Sequence, residues 1–202
     1  MKTVDPIKKK SQQLSWLLRH GANETGLAMD AGGFAPVADV LRHARLTRDE
    51  LDDVIRENNK SRYELAADGL RVRACQGHSM EGTPVTREGL EATWLVVDKD
   101  EVIFHGTNVI AARSILAEGI DAQARTHVHL AESEGATVGK RANVDVLLAV
   151  SPAKMRECGF TIWRAPNGVL LARQVPKEAI VDVVAQNRPG ERALEELMAL
   201  LG

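Results

Sequence analysis

Residues 63–74 read Tyr63-Glu64-Leu65-Ala66-Ala67-Asp68-Gly69-Leu70-Arg71-Val72-Arg73-Ala74. Tyr63, Leu65 and Ala67 recur at every second position, Asp68-Gly69 supplies a tight turn, and Leu70, Val72 and Ala74 alternate again, so the stretch is expected to form a β-hairpin. Everything before it carries helical spacing. Leu14, Leu17 and Leu18, with Trp16 beside them, follow a basic Lys8-Lys9-Lys10 opening and predict a helix over 7–18 that runs into Arg19-His20. Gly21 and residues 23–26 supply a turn, and Gly32-Gly33 another. Between Pro36 and Ala44, the positions of Val37, Val40 and Leu41 predict a second helix. Thr47-Arg48-Asp49-Glu50 reads as the cap of a third, which carries Leu51, Val54 and Ile55. Three helices followed by a two-stranded wing suggest a winged-helix-like lobe, and a generic small α+β core would carry the same pattern.

Beyond the hairpin, residues 80–90 are polar, contain Gly82, Pro84 and Gly89, and are expected to be a linker. Short apolar runs follow at 94–97, 102–104, 128–130, 144–150, 160–163, 169–171 and 180–184, so this half reads as mostly β. Helices are expected at 108–117, closed by Gly119, and at 191–201. The fold class is therefore α+β, with a first lobe over residues 1–90 and a second over residues 91–202. Neither an internal repeat nor a low-complexity segment interrupts the chain.

Bulk properties narrow the partners. With 202 residues and 44% hydrophobic content the chain can build ordinary cores. No apolar run approaches the roughly 20 residues of a membrane helix, and residues 1–10 are polar, so a soluble, cytoplasmic protein is expected. Cys75 and Cys158 have neither metal-ligand nor redox spacing and read as reduced thiols. Lys and Arg number 26 against 28 Asp and Glu, and the halves are balanced, with 14 basic and 14 acidic residues before residue 92. Any anion site must be local.

Arg/His pieces recur at four breaks in the pattern: Arg19-His20, Arg73-Ala74-Cys75-Gln76-Gly77-His78-Ser79, His105-Gly106-Thr107, and Arg125-Thr126-His127-Val128-His129. Each has a plain structural reading. Arg19 and His20 could simply cap the C-terminus of an apolar helix, and Arg73 could be a solvated strand residue. His105-Gly106-Thr107 ends an apolar run and starts a helix, with Thr107 as the capping hydroxyl and Gly106 allowing close approach to the backbone. Arg125, His127 and His129 lie at alternate positions, and on one strand face they would call for an anion. Cys75, His78, His127 and His129 could be weighed as zinc ligands, but their spacing fits no standard signature and no metal is expected. Neither a nucleophile elbow, a Walker loop nor a dinucleotide glycine fingerprint is present.

Taken in order, Leu18-Arg19-His20-Gly21, Asn59-Lys60-Ser61-Arg62-Tyr63, Arg73 to Ser79, Phe104-His105-Gly106-Thr107, His127-Val128-His129-Leu130 and Pro166-Asn167-Gly168-Val169 strongly resemble the RNA 2'-phosphotransferase family, Tpt1 or KptA. The resemblance spans nearly the whole chain. It implies a winged-helix-like lobe that engages RNA and a lobe of ADP-ribosyltransferase fold that holds NAD+ as co-substrate. It also implies the reaction: an internal RNA 2'-phosphate attacks the nicotinamide ribose, nicotinamide leaves, and the ribose hydroxyl then displaces the RNA. The products would be 2'-hydroxyl RNA and ADP-ribose 1'',2''-cyclic phosphate.

By the same resemblance the catalytic set maps onto Arg19, His20, Arg73 and Arg125, with Arg73 the expected phosphate ligand. His105, Gly106, Thr107 and Ser114 would line the NAD+ pocket, joined by His78, Ser79, His127 and His129. Guanidinium groups suit this work because they bind phosphate bidentately. Where many ADP-ribosyltransferases place a glutamate, this chain has Val169, and a phosphate nucleophile that arrives anionic needs positioning more than deprotonation. Two positions depart from the family pattern: Cys75 stands where asparagine is usual and Ala131 where serine is common. The expected substrate is RNA with an internal 2'-phosphate, such as a spliced tRNA junction, handled by a monomer. Two other readings share the residues: an ADP-ribosyltransferase that caps terminal phosphates of nucleic acid, and a non-catalytic winged-helix protein that senses NAD+.

Overall fold

The computed structural model describes residues 6–136, 138–139 and 143–201. The polar opening lies outside the described residues as far as residue 5. Helices and antiparallel strands are mixed throughout, in an α+β arrangement. The chain forms two compact units, one of residues 1–94 with 124–126, the other of residues 95–123 with 127–202. Among the described residues, no helix is long and apolar enough to cross a membrane.

The first unit opens with α1 (Pro6–Trp16), passes without a break into a π-helical turn (Leu17–Gly21), and continues as α2 (Ala22–Thr25). Short strand β1 (Ala35–Pro36) leads into α3 (Val37–Ala44), and α4 (Arg48–Arg56) begins with the expected capping box between Thr47 and Glu50. The hairpin forms as β2 (Tyr63–Leu65) and β3 (Arg71–Ala74), in register Tyr63 to Ala74 and Leu65 to Val72. β1 pairs with the other edge of β3, so β3 is central in a three-stranded sheet. The core beneath it holds Leu14, Leu17, Leu18, Val40, Leu51, Val54 and Val72, each at most 2% exposed. Tyr63 joins sheet to helix by donating its hydroxyl to the Ser11 carbonyl at 2.6 Å.

Residues 80–90 are not a free linker. Thr83, Val85 and Leu90 are buried, α5 (Arg87–Glu91) forms behind the Thr86 cap, and Arg87 Nε donates to the Thr126 carbonyl at 3.0 Å. The polar composition misled because a few buried side chains hold the segment while the rest face water.

The second unit starts at β4 (Leu95–Val96) and β5 (Ile103–Thr107), followed by α6 (Val109–Glu118), β6 (Ile120–Asp121) and β7 (Val128–Leu130). Then come β8 (Val146–Val150), α7 (Pro152–Glu157), β9 (Trp163–Arg164), β10 (Leu170–Ala172), β11 (Gln174–Val175), β12 (Ile180–Ala185) and α8 (Arg188–Ala199). One sheet has the order β4-β9-β10-β7 and another β12-β8-β5. Every residue of β8 is buried, as a central strand covered on both faces requires. α7 was not expected, although Ser151-Pro152, a capping hydroxyl before a first-turn proline, announces it.

Candidate functional site

Arg19 and His20 do not end a helix. They lie within the π turn, and the chain stays helical to Thr25. An α-helix would join the Asn23 amide to the Arg19 carbonyl. Here the Asn23 amide donates instead to the Gly82 carbonyl at 3.1 Å, and the Arg19 carbonyl accepts from the Ser79 amide at 2.9 Å and the Ser79 hydroxyl at 3.3 Å. The exchange satisfies the displaced groups and ties the turn to segment 79–82. Gly82 sits so close that a Cβ there would lie 2.1 Å from the His20 carbonyl oxygen.

Segment 124–126 enters from the other side. Ser79 and Arg125 form an antiparallel bridge, the Thr126 amide donates to the His78 carbonyl, and the Met80 amide to the Ala124 carbonyl. Ser79 therefore holds Arg19 on one side and Arg125 on the other. Arg125 accordingly belongs to the first unit and is exposed, while the strand behind it starts only at Val128. The expected single strand face of Arg125, His127 and His129 does not form.

Electrostatics bear out the proximity. Burial brings Arg19 down to about pKa 10; Arg62 and Arg125 push the same way, and Tyr63 and Cys75 oppose. Its Nε and Nη2 are buried without a hydrogen-bond partner among the described residues. Gly77, at φ +90°, presents a bare Cα on which the guanidinium rests: a Cβ there would lie 3.5 Å from Arg19 Cζ. Partial burial, then Arg19 and Arg125, hold His20 below the usual histidine range. Arg19 and His20, both with depressed proton affinity and beside the exposed Arg125, form an environment suited to an anion.

Arg73 is placed differently from expectation. It is 3% exposed; its Nη2 and Nε bond Glu64 Oε2 at 2.6 and 2.8 Å, and its Nη1 bonds Thr93 Oγ1 at 2.6 Å and the Gly32 carbonyl at 3.2 Å. Its guanidinium also stacks 4.4 Å from the Phe34 ring centroid. The cross-strand register that sets Glu64 opposite Arg73 neutralises it, and a plain hairpin reading carried that signal. Cys75, two residues on, donates its thiol to the Ser61 carbonyl at 3.4 Å, and burial keeps that thiol protonated up to about pKa 11. Ser61 stands at φ +43°, so the thiol steadies a strained backbone beside Arg62.

His78 is fully buried, with its Nε2 3.0 Å from where a Gly33 Cβ would sit, and Ser79 is occupied as above. Both are parts of the framework of the first unit, and Ser79 is half-buried.

In the second unit, the His105 Nδ1 lies 3.1 Å from the His129 carbonyl oxygen. A carbonyl only accepts, so Nδ1 carries a proton and the bond fixes the ring. Gly106 and Thr107 are buried within β5, and the cap of α6 is Asn108, whose side chain accepts from the Ala111 amide at 2.8 Å, not Thr107. Asp145 Oδ2 accepts a second first-turn amide, that of Val109, at 3.1 Å and is held by Asn187. Neither residue stood out in the sequence. His127 is 1% exposed and meets Trp163 edge-on at 5.8 Å, and Ser114 is exposed on α6. Ala131 is buried and pairs with Phe104 through both backbone groups.

An α+β chain carrying an arginine with a buried guanidinium and an exposed histidine on a π turn, beside a second arginine, is of the class that can bind an anionic substrate. A family model described as RNA 2'-phosphotransferase, Tpt1 / KptA family matches residues 5–174. The probable RNA 2'-phosphotransferase of Acaryochloris marina is similar at 32% identity, covering 88% of this chain and 97% of its own. That of Pseudomonas syringae pv. tomato is 37% identical, covering 86% and 92%, and that of Agrobacterium fabrum 35%, covering 82% and 89%. The chain belongs to the RNA 2'-phosphotransferase, Tpt1 / KptA family.

Proposed function

We propose that the protein is an NAD+-dependent transferase that removes an internal 2'-phosphate from RNA. Family membership and the relatives' names support the substrate class. The observation that carries the reading is the Arg19, His20 and Arg125 group, in which two buried guanidinium nitrogens of Arg19 have no hydrogen-bond partner among the described residues. A phosphate would supply one, in the bidentate geometry that guanidinium favours.

With NAD+ as co-substrate, a phosphate oxygen displaces nicotinamide from the ribose, and the ribose hydroxyl displaces the RNA oxygen from phosphorus, giving 2'-hydroxyl RNA, nicotinamide and ADP-ribose 1'',2''-cyclic phosphate. Arg19 and Arg125 hold phosphate oxygens and stabilise the charge that develops on them, the role a metal fills elsewhere. His20, depressed in the free protein, gains proton affinity when the phosphate dianion arrives and can then pass a proton to the departing RNA 2'-oxygen. Arg73 acts as a positioning residue through β3 and Glu64. In the second unit His105 would face the ribose, its ring fixed by the Nδ1 bond to the His129 carbonyl. Gly106, Thr107 and Ser114 would line the dinucleotide site, with His127 and His129 supporting it.

On this reading the first unit is the winged-helix-like RNA-binding lobe and the second the ADP-ribosyltransferase-like lobe of a cytoplasmic monomer that acts on tRNA or another spliced RNA. The test is nicotinamide release from NAD+ in the presence of an oligoribonucleotide with one internal 2'-phosphate, against the same RNA without it. Release that requires the phosphate supports the reading, and absence of release removes it. A stable ADP-ribosylated end product would instead favour terminal-phosphate capping, and tight duplex binding without turnover an NAD+-sensing binder.

A further inference from the structure

We infer that Trp16 is a stacking platform for an RNA base next to the phosphate group; the inference rests on the RNA phosphotransferase reading. The chain has few aromatics, 3% in all, and Trp94 is buried and Trp163 half-buried. Trp16 is 42% exposed and is the one aromatic among the large exposed apolar side chains of the described residues.

Its indole packs against its own helix. The six-membered ring lies over Gly21, five residues on, where a Cβ would approach Cη2, Cζ3 and Cζ2 to 2.5, 2.6 and 2.8 Å. Five residues is the hydrogen-bond span of the π turn that begins after Trp16, which brings these positions together. The ring is thus seated against Gly21 while 42% of the residue stays exposed, so little ordering is needed on binding. His20, four residues from Trp16, is its exposed neighbour on the same helical face. An internal 2'-phosphate always has bases around it, and single-stranded RNA is recognised by stacking on such rings.

The test is fluorescence anisotropy with an end-labelled oligoribonucleotide carrying one internal 2'-phosphate, with NAD+ omitted so that the RNA is not consumed. Trp16→Ala should weaken binding about tenfold, and Trp16→Phe should stay within about threefold of the wild type. With an abasic residue placed in turn at the phosphorylated nucleotide and at each neighbour, one position should bring the wild type to the Trp16→Ala level, where the substitution has no further effect. Trp16→Leu keeps apolar cover over Gly21 without a ring, and serves the same comparison if Trp16→Ala fails to fold. Unchanged binding by both ring-deleted variants, or a loss that persists equally at all three abasic positions, overturns the inference. Nicotinamide release by the wild type is read alongside: stacking without turnover removes the transferase reading and keeps the platform, and turnover without stacking does the reverse.

Discussion

Arg19 and Asn23, which an uninterrupted α-helix would bond carbonyl to amide, are each bonded to segment 79–82 instead, Arg19 to Ser79 and Asn23 to Gly82. The π turn is therefore a joint, and the side chains it carries are aimed by contacts sixty residues away in the chain. A Cβ on Gly82 would sit 2.1 Å from the His20 carbonyl and 2.5 Å from Ser79 Oγ. Gly82→Ala should cost about 1–3 kcal/mol of stability and lower kcat more than it raises KM. Ser79→Ala loses the 3.3 Å bond to the Arg19 carbonyl and the 3.2 Å bond accepted from the Gly82 amide, keeps the 2.9 Å amide bond, and should cost about 1–2 kcal/mol. Thermal denaturation with steady-state kinetics on both variants checks this.

Arg19 should stabilise a complex and destabilise the free protein. Two buried nitrogens of its guanidinium have no hydrogen-bond partner among the described residues, and burial takes its pKa down to about 10. Arg19→Met, which fills the same space without charge, should raise stability by about 1 kcal/mol or more while abolishing transfer. Denaturant unfolding and a turnover assay measure the two effects independently.

Arg73 and Arg125 should separate by the same pair of measurements. Removing Arg73 leaves Glu64, Thr93 and the Gly32 carbonyl without their donor, so Arg73→Ala should cost about 3 kcal/mol and lose activity together with stability. Arg125 is exposed, and Arg125→Ala should leave stability within about 0.5 kcal/mol while lowering kcat about a hundredfold.

His20 gives a pH signature. Its folded pKa lies below 6.5 through burial, Arg19 and Arg125, so the unfolded chain binds more protons as pH falls through and below 6.5. Wild-type stability should therefore fall more steeply than that of His20→Gln between pH 7 and 5. Phosphate binding raises the His20 pKa, so RNA affinity should strengthen as pH falls through that window. Subtracting the His20→Gln profile removes the titration of the phosphate itself. Identical profiles would show that His20 does not sense the anion.

Much of the first unit was legible because local rules carry it: the hairpin from alternation and Asp68-Gly69, α4 from its Thr47 and Glu50 capping box, and in the second unit α6 from its spacing and Gly119. The π turn was not, because Leu14, Leu17 and Leu18 keep helical spacing up to its edge and the groups that widen it come from residues 79–82. Arg125 was placed on a strand for a similar reason. Alternation along 125–129 is a local signal, whereas the bridge to Ser79 that draws Arg125 into the first unit is not. Arg73 read as a solvated or ligand-binding residue because strand periodicity does not reveal that β1 adds a third strand and that Phe34 and Thr93 cover its outer face.

The most direct measurement is identification of the small molecule made from NAD+ and a 2'-phosphorylated oligoribonucleotide, with no metal added, by mass spectrometry. The expected result is ADP-ribose 1'',2''-cyclic phosphate and nicotinamide in equal amounts, matched by 2'-hydroxyl RNA. Unchanged NAD+ and RNA, or ADP-ribose that remains joined to the RNA, would contradict it.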